Sequence, residues 1–180
     1  MANKQGFPSD LVNSLIDAAN QKIIPKGDFL LREGETEHNL YFIKTGAIRV
    51  FYLTEYEEHN IRFGYDGSFI NSLSSFIKEK PSEFYIQAIR KTTLLVISKE
   101  KLREIINKND DLLKQYCTLL ETAITQQIDR EIDILITSPS ERLKRVLERS
   151  PTLFQHIPLK YIASYLRMKP ETLSRIRKDP

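Results

Sequence analysis

Residues 157–178 read IPLKYIASYLRMKPETLSRIRK. Two apolar helical patterns, Ile162/Ala163/Leu166 and Leu173/Ile176, flank a break of only a few residues. Two short helices on so short a turn form a helix-turn-helix unit. The second helix is expected over 170–178, with Leu173 and Ile176 facing inward. Glu171, Arg175 and Lys178 then share another face at i, i+4 and i+7, with Thr172 and Ser174 beside them. An arginine there can grip O6 and N7 of a guanine, a glutamate can accept from the N4 amino group of cytosine, and Ser/Thr contacts are adaptable. Lys160, Lys169, Arg177 and Lys178 are better suited to phosphate, which gives affinity without sequence information. The competing account is a solvated charged face, and for Arg177 alone it is the simpler one.

The charge distribution agrees with a polyanion partner for this end of the chain. The 180 residues carry a net +3, yet residues 138–180 hold ten Lys/Arg against four Asp/Glu, a balance of +6, which leaves −3 on the rest. At 41% hydrophobic and 28% charged residues, with 6 Gly and 8 Pro, the chain is neither collagen-like nor of low complexity. Its single cysteine, Cys117, excludes an internal disulfide and any multi-cysteine zinc or iron–sulfur site built by one chain. His38, His59 and His156 are scattered and form no recognisable metal or haem set, so no metal site is expected. No Ser–His–Asp, paired-carboxylate or P-loop pattern is present, so no catalytic residue is assigned and the chain reads as a non-enzyme. No apolar run reaches the ~18 residues that span a bilayer, and MANKQGFPSDLV has no signal-peptide core, so the expected compartment is the cytoplasm, without membrane.

Upstream, Thr137-Ser138-Pro139-Ser140 interrupts a long helical pattern, with Pro139 as its expected stop, and ERLKRVLER opens a further helix. From Asp110 to about Thr137 the apolar positions Leu113, Tyr116, Leu120, Ile124, Ile128 and Leu135 form one stripe, with Leu112, Leu119, Ala123 and Ile132 alongside. A helix of ~25 residues spans roughly 35–40 Å, more than a small barrel covers. Either a second copy buries the stripe, making a homodimer, or the chain's own barrel does. Residues 99–109 read as a shorter helix. Between Lys22 and Ser98, runs such as LYFIKTGAIRVFYL and FYIQAIRKTTLLVIS alternate with turns at Gly27, Gly34, Gly46, Gly64 and Gly67, as in an antiparallel sandwich or barrel. Pro8-Ser9-Asp10 starts a first helix carrying Leu11, Leu15, Ile16 and Ala19.

With these motifs in this order, the chain resembles the Crp/Fnr family of bacterial transcription regulators over nearly its whole length. LLREGE followed by LYFIKTGAIRVFY is similar to the opening hairpin of that family's cyclic-nucleotide-binding barrel, and PETLSRIRK to its recognition helix. The resemblance implies an α+β protein in three parts. Residues 1–109 form an antiparallel β jelly-roll effector domain with flanking helices, 110–137 a dimerisation helix, and 138–180 a winged helix-turn-helix domain. It implies three partners: double-stranded DNA with a near-palindromic site, a second copy of the chain, and RNA polymerase. Glu171 and Arg175 fall on the family's base-reading Glu and second Arg, while Pro170 stands at the first Arg. Arg167 stands at the family's turn glycine and Lys169 at its N-capping Ser/Thr. Each of these two departures costs about 1 kcal/mol if the turn keeps its geometry.

The effector pocket departs further from the family. Aligning GSFINSLSSF with the phosphate cassette places the pocket at Phe69, Ile70, Asn71, Ser72 and Leu73, with Asn71 at the cassette glycine and Ser72 at its ribose-binding Glu. Ser82 stands at the phosphate-binding Arg, and Glu83 at the neighbouring Ser. The bidentate charged contact is gone and a like charge replaces a hydroxyl. The expectation is therefore that cAMP and cGMP do not bind in the usual mode, and that any effector is an unidentified small molecule. The alternative is a cyclic-nucleotide sensor that uses substituted contacts, and Arg90 lies not far along the chain.

Overall fold

The computed structural model describes residues 9–178; Pro8 of the helix start signal, and Asp179 and Pro180, lie outside them. Helix α1 (Ser9–Asp17) leads into eight strands: β1 (Asn20–Ile24), β2 (Phe29–Leu31), β3 (Asn39–Thr45), β4 (Ala47–Leu53), β5 (Glu58–Tyr65), β6 (Phe69–Ile70), β7 (Tyr85–Ala88) and β8 (Thr92–Ser98). A short helix α2 (Leu73–Lys78) sits between β6 and β7. The strands form two antiparallel four-stranded sheets, ordered β1-β8-β3-β6 and β2-β7-β4-β5. The two sheets share one core, in which Ile24, Ile43, Ile70 and Leu94 of the first meet Leu31, Ile48, Val50 and Ile86 of the second.

Two glycines are fixed by this packing. Gly46 turns β3 into β4 at φ +113°, where a Cβ would lie 2.7 Å from the Thr92 backbone. Gly64 lies in β5 with ordinary backbone, but a Cβ there would press 2.7 Å from Ile43 Cδ1.

Helix α3 (Lys99–Ile106) is capped by Ser98, whose Oγ accepts from Lys101 N. The long helix α4 (Asp110–Leu135) starts on Asn109, whose side chain accepts from Leu112 N at 2.9 Å. Its 26 residues run about 39 Å. Leu112 and Leu119 join Leu11, Leu15, Leu102 and Ile105 in a second core beneath the first sheet.

Pro139 does not end this helix. α4 stops at Leu135, and Pro139 is the first residue of α5 (Pro139–Arg149). A proline at that position forfeits no helical hydrogen bond, and it pushes Ser138 into the extended conformation a cap needs (φ −72°, ψ 116°).

Three short helices follow: α6 (Leu153–His156), α7 (Leu159–Tyr165) and α8 (Pro170–Lys178). A third core joins Leu143, Val146, Leu153, Ile162, Leu166 and Leu173 to Ala47 of β4 and to Ile89, just past β7. The C-terminal helices are thus docked on their own barrel.

Candidate functional site

On α8, Leu173 is fully buried and Ile176 half-buried, so the apolar pair anchors the helix as its spacing requires. Glu171, Arg175, Arg177, Lys178, Lys169 and Lys160 are exposed, and Thr172 and Ser174 are half-buried. Leu159, Pro170, Glu171, Ser174, Arg175 and Lys178 line an open depression on this face. Arg177 lies apart from that set, its guanidinium 4.2 Å from the Phe154 ring centre, a contact within its own cluster. Lys160 similarly stands over Tyr161.

Four residues separate α7 from α8, and Arg167 among them holds the left-handed conformation at φ 54°. A side chain there costs about 1 kcal/mol relative to glycine. The Arg167 guanidinium reaches Nδ1 of His59 on β5 at 2.9 Å. Arg142 donates to Leu166 O at the start of this turn and to Ile136 O between α4 and α5. Lys169 supplies the carbonyl that starts α8, accepting from Leu173 N at 3.1 Å, but its side chain cannot cap the helix.

The segment between α4 and α5 is tied down on both sides. Asp133, 2% exposed, pairs with Arg145 at 2.8 Å and with Arg149. Arg130 donates to Asn60 O on β5, and Ser164 of α7 accepts from Asn60 N and donates to Glu58 O. Arg49 of β4 is 4% exposed, bonded to Gln87 and Glu58 and stacked under Tyr161 of α7. Burial pulls the Arg130 pKa down from its ordinary value.

The stripe on α4 divides. Leu113, Ile124, Ile128 and Leu135 point outward, with Ile132 and Cys117 on the same exposed side. Tyr116 and Leu120 are half-buried and turned toward the barrel, Tyr116 packing on the second core. The period alone gave all six to one face; a helix lying against a barrel has two apolar faces, and the stripe drifts between them.

Of the cassette residues, Asn71, Ser72 and Ser82 are buried, and the Ser72 and Ser82 hydroxyls hydrogen-bond each other at 2.9 Å. The two positions aligned with the ribose and phosphate contacts therefore meet in space, but they satisfy one another. Glu83 is exposed and makes no part of the Ser72–Ser82 hydrogen bond. The acid near the cassette is Glu37, 1% exposed, accepting from Asn39 N at 2.9 Å and from the Tyr41 hydroxyl at 3.2 Å. Its own N–H donates to Ser75 Oγ, and burial pushes its carboxyl above the usual carboxylate range. Arg90 is spent elsewhere, donating to Gln155 O of α6.

A small cavity of about 40 Å³ lies between β5, β6, α2 and α4, lined in part by Phe69, Ile70, Asn71 and Leu73. Arg62 of β5 also lines it. Sequence reasoning missed both Glu37 and Arg62. Arg62 had a signal, since it shares strand parity with Gly64, the position that faces Ile43 and Ile70. Among the described residues, no group of three or more His, Cys, Asp or Glu could hold a metal ion, and no helix is long and apolar enough to cross a membrane.

Residues 21–109 match the family described as Cyclic nucleotide-binding domain. No curated protein sequence matches the chain. Among solved structures, the fold is similar to FixK2 from Bradyrhizobium japonicum, at 17% identity and TM-score 0.74, covering 89% of this chain and 83% of that one. It is similar to CLP, described as a c-di-GMP responsive global regulator of Xanthomonas campestris, at 14% identity and TM-score 0.69, covering 96% and 91%. It is also similar to the Catabolite Activator Protein of Thermus thermophilus, at 20% identity and TM-score 0.59, covering 97% and 84%. At these identities the likeness is one of fold, and it takes in the sheets, α4 and the C-terminal helices alike.

Proposed function

We propose that the chain is a DNA-binding transcription regulator of the Crp/Fnr type that acts as a homodimer in the cytoplasm. In this reading residues 1–109 are a jelly-roll effector domain, 110–137 the dimerisation helix and 138–180 a winged helix-turn-helix domain. Two copies pair along the outward residues of α4 and present two α8 helices about one DNA turn apart, ~34 Å. Glu171 and Arg175 read base edges, Thr172 and Ser174 adapt to them, and Lys160, Lys169 and Lys178 neutralise phosphate. Arg177 steadies α8 on Phe154 as well as lending charge.

The observation that carries the proposal is the division of α8. Leu173 is sealed into the third core, while Glu171, Arg175 and Lys178 stand free on the opposite side, on the second of two helices joined by four residues. An exposed Arg and Glu spaced one helical turn apart suit the donor and acceptor pattern of a major groove. The apolar stripe of α4 supports the dimer: Ile124 and Ile128 are 56% and 52% exposed, a cost in water that a partner helix removes. DNA selected from a random pool, then titrated against the wild type and Arg175→Ala, tests the reading. The wild type binds selected DNA tightly and as a dimer, and the variant loses discrimination at one base pair per half-site.

Cyclic nucleotide sensing is the second reading, and the match of residues 21–109 to the cyclic nucleotide-binding family favours it. Against it stand the self-paired Ser72 and Ser82, the buried Glu37 and a cavity of about 40 Å³. Micromolar heat on titrating cAMP or cGMP into the protein decides for it; its absence decides against.

A further inference from the structure

The cavity beneath α4 carries a chemistry of its own. Arg62 is the one charged side chain among the residues that line it; the polar ones are neutral, Asn71, Tyr116, Thr122 and Gln126, and the rest apolar. Arg62 donates one hydrogen bond, from Nη2 to Phe69 O at 3.3 Å, and no described residue takes its other N–H groups or forms an ion pair with it. Burial alone pulls its pKa down from the ordinary arginine value. A half-buried guanidinium without a carboxylate is costly, and an anion brought from solution removes that cost.

Size and charge narrow the anion. One water needs about 10–15 Å³ measured in this way, so about 40 Å³ holds a molecule of a few heavy atoms and excludes a nucleotide. A single positive charge balances a monoanion and leaves a phosphate dianion half-neutralised. The flat guanidinium fork matches a planar carboxylate, and the apolar lining calls for a short hydrocarbon body.

We propose that this cavity binds a small monocarboxylate, its carboxylate on Arg62 and its carbon chain between Phe69 and Leu119. The inference deepens the reading of the barrel as an effector domain. It rests on that reading only for a consequence at DNA: Leu119, Leu120 and Ala123 wall the cavity on α4, the helix whose other side carries Ile124 and Ile128.

The test is calorimetric titration of the full chain with propionate, with propionamide as the uncharged match and inorganic phosphate as the competing anion. Propionate binds once per chain with a Kd on the order of 0.01–1 mM, and propionamide and phosphate bind at least about tenfold more weakly. Arg62→Gln loses at least about tenfold in propionate affinity and melts no lower than the wild type, because it sheds an unpaired charge. Ala123→Leu, which fills the cavity from the opposite wall, blocks propionate as well and serves if Arg62→Gln does not fold. No propionate binding by the wild type, equal binding of propionamide, or unchanged affinity in the folded variants overturns the proposal. Titrating selected DNA separately distinguishes the two failures: intact DNA binding without propionate binding sinks only the ligand inference, and the converse sinks only the regulator.

Discussion

The cassette of the barrel and the outer face of α8 make an instructive pair. Each resembles its counterpart in one family in sequence, and each sits in a fold similar to that of solved regulators. At the cassette the Ser72 and Ser82 hydroxyls hydrogen-bond each other at 2.9 Å, and the nearest acid, Glu37, is buried with two donors on its Oε1. At α8 Glu171, Arg175 and Lys178 face solvent, with no ion pair among the described residues. A polar group that has found its partner inside the molecule has little left for a ligand, whereas one kept in solvent and steadied from behind is available. The same comparison sets Arg62 apart from the cassette, as a half-buried cation with no ion pair among the described residues.

The largest effect tests how firmly the C-terminal helices are held while α8 faces outward. Asp133→Ala removes the buried carboxylate shared by Arg145 and Arg149, and is expected to cost about 3–5 kcal/mol in urea unfolding. Leu173→Ala comes next, at about 2–5 kcal/mol of stability with a cavity left under α8, and DNA binding falls with it. Arg175→Ala should leave the melting temperature alone and cost roughly 1–3 kcal/mol of discrimination at one base pair. A loss spread equally over all sequences would move Arg175 to the phosphate-contacting set.

Two smaller effects sharpen the contrast. Arg167→Gly relieves a left-handed side chain at φ 54° but gives up the contact with His59, so stability rises by no more than about 1 kcal/mol. Glu37 bears on the closed cassette through pH. Burial raises its folded pKa above the ordinary 4.5, so its ionised form opposes folding. That opposition is full above the folded pKa, is relieved as pH falls through it, and is gone below the unfolded value. Glu37→Gln therefore gains on the wild type at neutral pH, and the gap narrows on acidification; a gap independent of pH would mean Glu37 is not the titrating group.

Periodicity made the elements legible. The bounds of α8 follow from Leu173 and Ile176, and the strands from β-branched runs between glycines, because both signals are local. The positive φ at Arg167 is what the resemblance implies, since Arg167 stands at the family's turn glycine. What the sequence withheld depends on which face meets what. The α4 stripe split because Tyr116 and Leu120 turn toward the barrel, and one chain's spacing does not say which of two apolar faces is covered. Pro139 was misplaced because a proline ends one helix and starts another with equal ease. Glu37 escaped notice because a lone charge in the loop before β3 carries no spacing signal, and Arg62 because the parity it shares with Gly64 does not by itself turn a charge inward.

The central claim, that α8 reads duplex DNA twice through a two-fold assembly, is met most directly by sequencing DNA selected from a random pool by the wild type and by Arg175→Ala. The expected result is an inverted repeat with half-sites about ten base pairs apart, and in the variant the same repeat with one position relaxed in each half. No enriched sequence, or a motif without two-fold symmetry that survives Arg175→Ala unchanged, would contradict it.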